Sequence, residues 1–138
     1  MPGDFWLARL GYEDAARAWP KVEMFLAAPV AQSSGLWELA DVEERVTRPG
    51  EWSLWLVAQG SEPHGAWVTR PLVFPRARAL EIVFAGGRAM EAWYDLALAE
   101  TEKYARETGC DRLRGYGRRG WVKFGYRAVG HVFERALT

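Results

Sequence analysis

Glu81 is the residue of this sequence best suited to moving a proton. It stands inside an apolar run, Ala79-Leu80-Glu81-Ile82-Val83-Phe84, that breaks at Gly86-Gly87 and leads into a helical pattern. Strand alternation sets Leu80, Ile82 and Phe84 on one face, and Ala79, Glu81 and Val83 on the other. A carboxylate desolvated on such a strand is expected to have a raised pKa, which suits a general base. The alternative is an ion pair with one of the many arginines. The strand–glycine–helix junction adds a second chemistry. The first N–H groups of a helix have no acceptor within it and point at one spot, a natural place for a phosphate or other anion. Arg88 follows directly.

Other motifs carry less. Gly115-Tyr116-Gly117-Arg118-Arg119-Gly120 is a literal G-x-G-x-x-G, but only 18 residues follow it and Gly125 interrupts them. A dinucleotide fold needs a helix, a further parallel strand and an acid about twenty positions on, so that site is rejected. What survives is a glycine-rich turn with two arginines, an anion nest or a tight connection. From Arg112 to Arg127 lie six cations and no acid, interleaved with Tyr116, Trp121, Phe124 and Tyr126. Such a segment can stack and hold a nucleotide-bearing ligand or nucleic acid, or be a solvated edge beside core aromatics. His64, His131 and Cys110 are scattered, so no metal site is expected. No serine-elbow, P-loop or paired-cysteine motif occurs.

These residues need a scaffold. Asp4 to Leu10 reads as an opening strand. Glu13 to Ala28 has helical spacing, with Pro20 expected to kink it or to begin a second helix. Leu36 to Arg48 is a further amphipathic helix, closed by Pro49-Gly50. Trp52 to Gln59, a turn over Ser61 to Gly65, and Ala66 to Phe74 form a hairpin, with Pro71 implying a bulge or an edge position. The strand Ala79 to Phe84 follows, then a helix from about Arg88 to Thr108 capped by Gly109. Strands near Asp111 to Tyr116 and Arg127 to Leu137 close the chain. The predicted fold is α+β: one domain over residues 1–138, a mixed sheet of about six to seven strands flanked by helices, in the order β-α-α-β-β-β-α-β-β.

Composition bounds the rest. A chain of 138 residues with 49% hydrophobic and 26% charged residues is an ordinary globular domain. Lys+Arg and Asp+Glu are both 18, so no global field draws nucleic acid or a membrane surface. Of the cations 15 are Arg, which suits phosphate and carboxylate recognition. One cysteine, no signal pattern and no membrane-length apolar run lead us to expect a cytoplasmic protein. Eight tryptophans are many for this length; they fill a core, or some line a pocket or an interface.

The order of elements resembles the GNAT acetyltransferase superfamily along essentially the whole chain. Glu81-Ile82-Val83-Phe84 resembles the catalytic strand of its histone-acetylating branch, and Phe124-Gly125-Tyr126 its aromatic-rich ending. The resemblance implies acetyl-CoA as a substrate, wedged between splayed strands, and an amine acceptor that attacks the thioester directly. It makes Glu81 the base and Tyr116 the acid that protonates the thiolate. Ile82, Val83 and Phe84 would line the gap, Gly86, Gly87, Arg88, Ala89 and Met90 would hold the pyrophosphate, and Trp121 would border the site. Two positions depart from the family pattern: Glu91 stands where its phosphate loop has glycine, and Trp121 where its ending has tyrosine.

The short chain and its FAGG…GCDRL…YGRRGW pattern also resemble small GNAT-like proteins of tailed phages and prophages. That implies an alternative: a non-catalytic, virion-associated protein that uses the fold for contacts with protein partners or with its own copies.

Overall fold

In a computed structural model, residues 4–115, 125–130 and 132–137 are described. The chain forms β1 (Phe5–Leu10), α1 (Tyr12–Ala31), α2 (Leu39–Val46), β2 (Ser53–Gln59), β3 (Glu62–Phe74), β4 (Ala77–Gly87), α3 (Met90–Glu107) and β5 (Arg112–Gly115). The five strands make one sheet in sequence order. β1 to β4 run antiparallel in turn, and β5 joins β4 in parallel after the α3 crossover.

The helices sit on opposite faces because their apolar stripes demand it. Ala15, Trp19, Val22, Leu26 and Val30 recur every three or four residues along α1. With Val42 and Val46 of α2 they bury Leu54, Ala66, Val68 and Phe84 on one face of the sheet. Trp93, Ala97 and Leu98 of α3 cover Trp55, Val57, Trp67 and Ile82 on the other. There the rings of Trp55 and Trp67 stack at 5.5 Å, and those of Trp67 and Trp93 at 6.0 Å. Each indole N–H finds an acceptor: Trp55 donates to Thr69 Oγ1 at 2.9 Å, Trp67 to Thr101 Oγ1 at 3.0 Å and Trp93 to the Arg88 carbonyl at 3.0 Å. These three tryptophans are core.

The differences from the sequence expectation have local causes. α1 continues through Pro20 and Pro29, so no second helix begins at Pro20. The buried stripe holds α1 together across the two missing N–H groups. α2 starts later than predicted, at Leu39, because Glu38 and Asp41 form a capping box; the Glu38 N–H donates to Asp41 Oδ2 at 2.9 Å. The hairpin turn is only Gly60-Ser61, with Gly60 at φ +60°, and Gln59 lies opposite Glu62. His64 therefore lies in β3, not in a turn. β2 pairing stops at Ser53 opposite Thr69, so Pro71 has a partner, Leu80, on the β4 side alone and costs no ladder bond to β2.

The predicted strand over Arg127 to Leu137 is not formed. Its described residues carry no regular structure, and Val129, Val132 and Leu137 are exposed. The sheet accordingly has five strands among the described residues.

Candidate functional site

β4 carries the site, and its geometry turns on one extra residue. Val68 lies opposite Phe84 but Thr69 opposite Ile82, so Val83 is a bulge in β4. A bulge reverses the alternation beyond it. Ile82 faces α3, whereas Phe84 faces α1 and α2. The expectation that Leu80, Ile82 and Phe84 share a face is corrected on this ground.

The β5 side of β4 is equally divided. Ala79, Leu80, Glu81 and Ile82 lie opposite Arg112, Leu113, Arg114 and Gly115. Beyond Ile82, β4 runs on to Gly87 with no partner on that side among the described residues. Among the described residues, the backbone groups of Val83 to Gly87 on that edge have no strand partner, and the edge leads to the N-terminus of α3.

Glu81 lies under the fold's surface, with its side chain 6% exposed. The Arg70 Nε, on the neighbouring strand and directly opposite, donates to Glu81 Oε1 at 2.8 Å. Of the two sequence alternatives for Glu81, the ion pair is formed. On the other side Glu81 lies opposite Arg114, so all three side chains share the α1–α2 face. Arg70 also lies 5.5 Å from the Trp52 ring centroid, Arg45 of α2 5.4 Å from the same ring, and Arg114 5.5 Å from that of Phe74.

The glycines answer a packing need. A Cβ on Gly86 would collide with the carbonyl oxygen of Phe25 in α1. One on Gly87 would come within 2.5 Å of the His64 oxygen and 2.7 Å of the Gly65 Cα. Both let β4 close against its neighbours. Arg88 turns back toward the hairpin: its N–H donates to the His64 carbonyl at 2.8 Å, and its guanidinium to Glu62 Oε1 at 2.6 Å and the Pro63 carbonyl at 2.9 Å.

The position that shapes the helix start is Ala89, whose conformation no sequence pattern foretells. It has φ +52° and ψ +42°, left-handed for a residue with a Cβ, and α3 has no side-chain cap. A left-handed residue followed by right-handed ones turns successive N–H groups toward one point, an anion-binding concavity. Met90 and Glu91, the first two residues of α3, belong to it. Glu91 brings a carboxylate to the same turn.

Ile82, Val83, Phe84, Gly86, Gly87, Arg88, Ala89 and Met90 are therefore one continuous edge, although Ile82 still has a β5 partner and Arg88 is engaged elsewhere. Tyr116 and Trp121 lie outside the described residues. So do His131 and most of the basic-aromatic segment.

Tyr126, which the sequence placed in the basic-aromatic segment and in an ending motif, packs on the α3 face and donates its hydroxyl to Glu102. Burial, and then this contact, push the hydroxyl pKa well above its ordinary value. Glu102 is twelve residues beyond Met90, so the contact lies roughly 18 Å along the helix from its start. Among the described residues no helix is long and apolar enough to cross a membrane, and no group of three His, Cys, Asp or Glu residues could hold a metal ion.

No protein-family model matches the chain, and no curated protein matches its sequence. Solved structures do match its fold. An aminoglycoside acetyltransferase from an uncultured soil metagenomic sample, in complex with trehalose, superposes with a TM-score of 0.69 at 10% identity, covering 99% of each chain. A ribosomal-protein-alanine N-acetyltransferase from Brucella melitensis gives 0.69 at 14% identity, over 96% of this chain and 99% of the other. A GNAT family acetyltransferase from Staphylococcus aureus gives 0.66 at 13%, over 96% and 98%. The fold is that of the GNAT acetyltransferases.

Proposed function

We propose that this GNAT-fold protein is an acetyl-CoA-dependent N-acetyltransferase. The observation that carries the reading is the β4 edge: one-sided beyond Ile82 among the described residues, bulged at Val83, and leading to an uncapped helix start behind a left-handed Ala89. An open strand edge offers backbone donors and acceptors to an amide-bearing pantetheine arm. The α3 start, with the N–H groups of Ala89 to Glu91, offers a place to a pyrophosphate.

In this reading the acceptor nitrogen attacks the thioester carbonyl carbon, and the C–S bond breaks to release the CoA thiolate. The proton leaving nitrogen passes to Glu81, directly or through water. Arg70 engages Oε1, so Oε2 is the receiving atom. Tyr116 returns a proton to the thiolate. Calorimetry with acetyl-CoA is the test: binding in the micromolar to low-millimolar range is expected, and no heat at millimolar ligand would sink the reading.

A second reading has its own observation. Val129, Val132 and Leu137 expose 65%, 74% and 90% of their surface. Apolar residues left out in this way suit a non-catalytic, phage-encoded and virion-associated protein that works through protein contacts. A monomeric protein that turns over acetyl-CoA argues against it.

A further inference from the structure

We propose that the amine acetylated beside Glu81 carries its own anionic group, a carboxylate or a phosphate, and that Arg45 and Arg114 bind it. The inference rests on the acetyltransferase reading and names the substrate class of that site.

Glu81 marks where the acceptor nitrogen must come, and its side chain lies on the α1–α2 face of the sheet. The side chains that share this face are unusually rich in guanidinium. Arg70 and Arg114 flank Glu81 on the adjoining strands. Arg45 reaches in from the last turn of α2, 5.4 Å from the Trp52 ring and 5.7 Å from that of Trp37. Three positive charges meet one negative charge. The charge of Arg70 is matched by Glu81; Arg45 and Arg114 have no carboxylate within ion-pair distance among the described residues. Several arginines elsewhere are neutralised by an adjacent acid, as Arg48 is by Glu44, Arg78 by Glu51 and Arg112 by Asp111. Arg9 lies over the Tyr104 ring, on the other face of the sheet from Glu81.

The stacking matters as much as the charge. A guanidinium lying over an aromatic ring is held in place by its face, while its in-plane N–H groups remain able to donate. Arg45 over the tryptophans and Arg114 over Phe74 are thus fixed cations whose forks still seek an acceptor. A carboxylate or phosphate takes such a fork in two parallel hydrogen bonds. A polycationic amine would instead meet an uncompensated positive field, which selects against it. The acceptor predicted here is chemically unlike an aminoglycoside.

The test is calorimetry on the full chain at low salt without acetyl-CoA, so that it does not depend on turnover. The probes are L-phenylalanine, its decarboxylated counterpart phenethylamine, O-phosphoethanolamine and sisomicin. At least one anionic amine is expected to bind about tenfold or more tighter than phenethylamine and sisomicin, as a charge-assisted bidentate contact would give. Phenylalanine and phosphoethanolamine tell a carboxylate from a phosphate preference. The Arg45→Ala, Arg114→Ala double variant should erase the preference while leaving the melting temperature unchanged, because neither side chain is in the core. Equal or tighter binding of phenethylamine or sisomicin, no binding of any probe, or a preference that survives the double variant would each overturn the proposal. A preference that holds in a protein that does not bind acetyl-CoA would keep the anion site and remove the acetylation.

Discussion

β4 presents two different environments within eleven residues. From Ala79 to Ile82 it is hydrogen-bonded to β3 and β5, and its side chains are buried on both faces. From Val83 to Gly87 it is bonded, among the described residues, to β3 alone. The paired half can hold a charged group rigidly: Glu81 is clamped by a cross-strand arginine where water scarcely reaches. The one-sided half has spare backbone groups and no charge of its own. A bulge at Val83 separates the two and turns Phe84 to the opposite face from Ile82. On the proposed function, positioned side-chain chemistry belongs to the first half and backbone recognition to the second.

The largest effect that tests this division is at the end of the open half. Gly86 borders the proposed pyrophosphate site, yet the space for its Cβ is occupied by α1. Gly86→Ala should destabilise the fold by about 3 kcal/mol or more, in the range of overpacked cores, because the obstacle is backbone and cannot rotate away. Urea unfolding measures it. A variant as stable as the parent but weak for acetyl-CoA would mean that Gly86 serves the ligand after all.

In the paired half the expected effect is smaller in stability and larger in chemistry. Glu81→Gln keeps shape and removes the charge, so Arg70 keeps only a neutral acceptor. About 1–2 kcal/mol should be lost, the difference between a charge-assisted and a neutral hydrogen bond, reduced because Arg70 is 30% exposed. Turnover of any acetylated amine should fall roughly 10²–10⁴-fold if Glu81 takes the proton, while acetyl-CoA binding stays unchanged. A loss of acetyl-CoA binding instead would couple the halves that the structure separates.

Much of the division was legible in the sequence, and the part that was not has a physical reason. Period-two and period-3.6 apolar patterns placed β2, β4, α1 and α3, and Gly109 marked the end of α3. A carboxylate in an apolar strand singled out Glu81. The Val83 bulge was invisible, since a bulge is a relation between two strands and alternation along one strand cannot reveal it. The packing role of Gly86-Gly87 was hidden for a similar cause: glycine before a helix suits a phosphate and equally suits close packing, and only the position of Phe25 reveals the second. The Arg45–Trp52–Arg70 stack joins residues from α2, the approach to β2, and β3, a juxtaposition that no local spacing encodes.

Tyr126 offers a control from outside both halves. Its hydroxyl pKa is raised by burial first and then by Glu102, so the folded state favours the protonated form. The stability this gives is fully present below the unfolded tyrosine value of about 10 and is lost as pH rises past it. Tyr126→Phe should cost about 0.5–1 kcal/mol at neutral pH, one hydrogen bond at a partly exposed site. It should also make the decline above pH ~10 shallower. Acetyl-CoA affinity should not move, because the contact lies far down α3 from its start. Tyr94, raised by burial in the same direction, contributes to the slope that remains.

The smallest effect expected is the most specific to the open half. Ala89 holds a left-handed conformation at φ +52°, which costs a residue with a Cβ about 1 kcal/mol and a glycine almost nothing. Glycine also loses more freedom on folding. Ala89→Gly should therefore stabilise the protein by only about 0.5 kcal/mol, a shift of a few degrees in melting temperature. What it does to acetyl-CoA is the sharper readout. If the left-handed turn is what aims the N–H groups of α3, a glycine that keeps that turn and relaxes its surroundings should leave affinity equal or slightly weaker, whereas Ala89→Val, which the turn resists, should weaken it severalfold. Identical affinity in all three proteins would mean that the strained start of α3 is a product of how β4 packs against α1, and that the open half of β4 recognises its ligand through the strand edge alone.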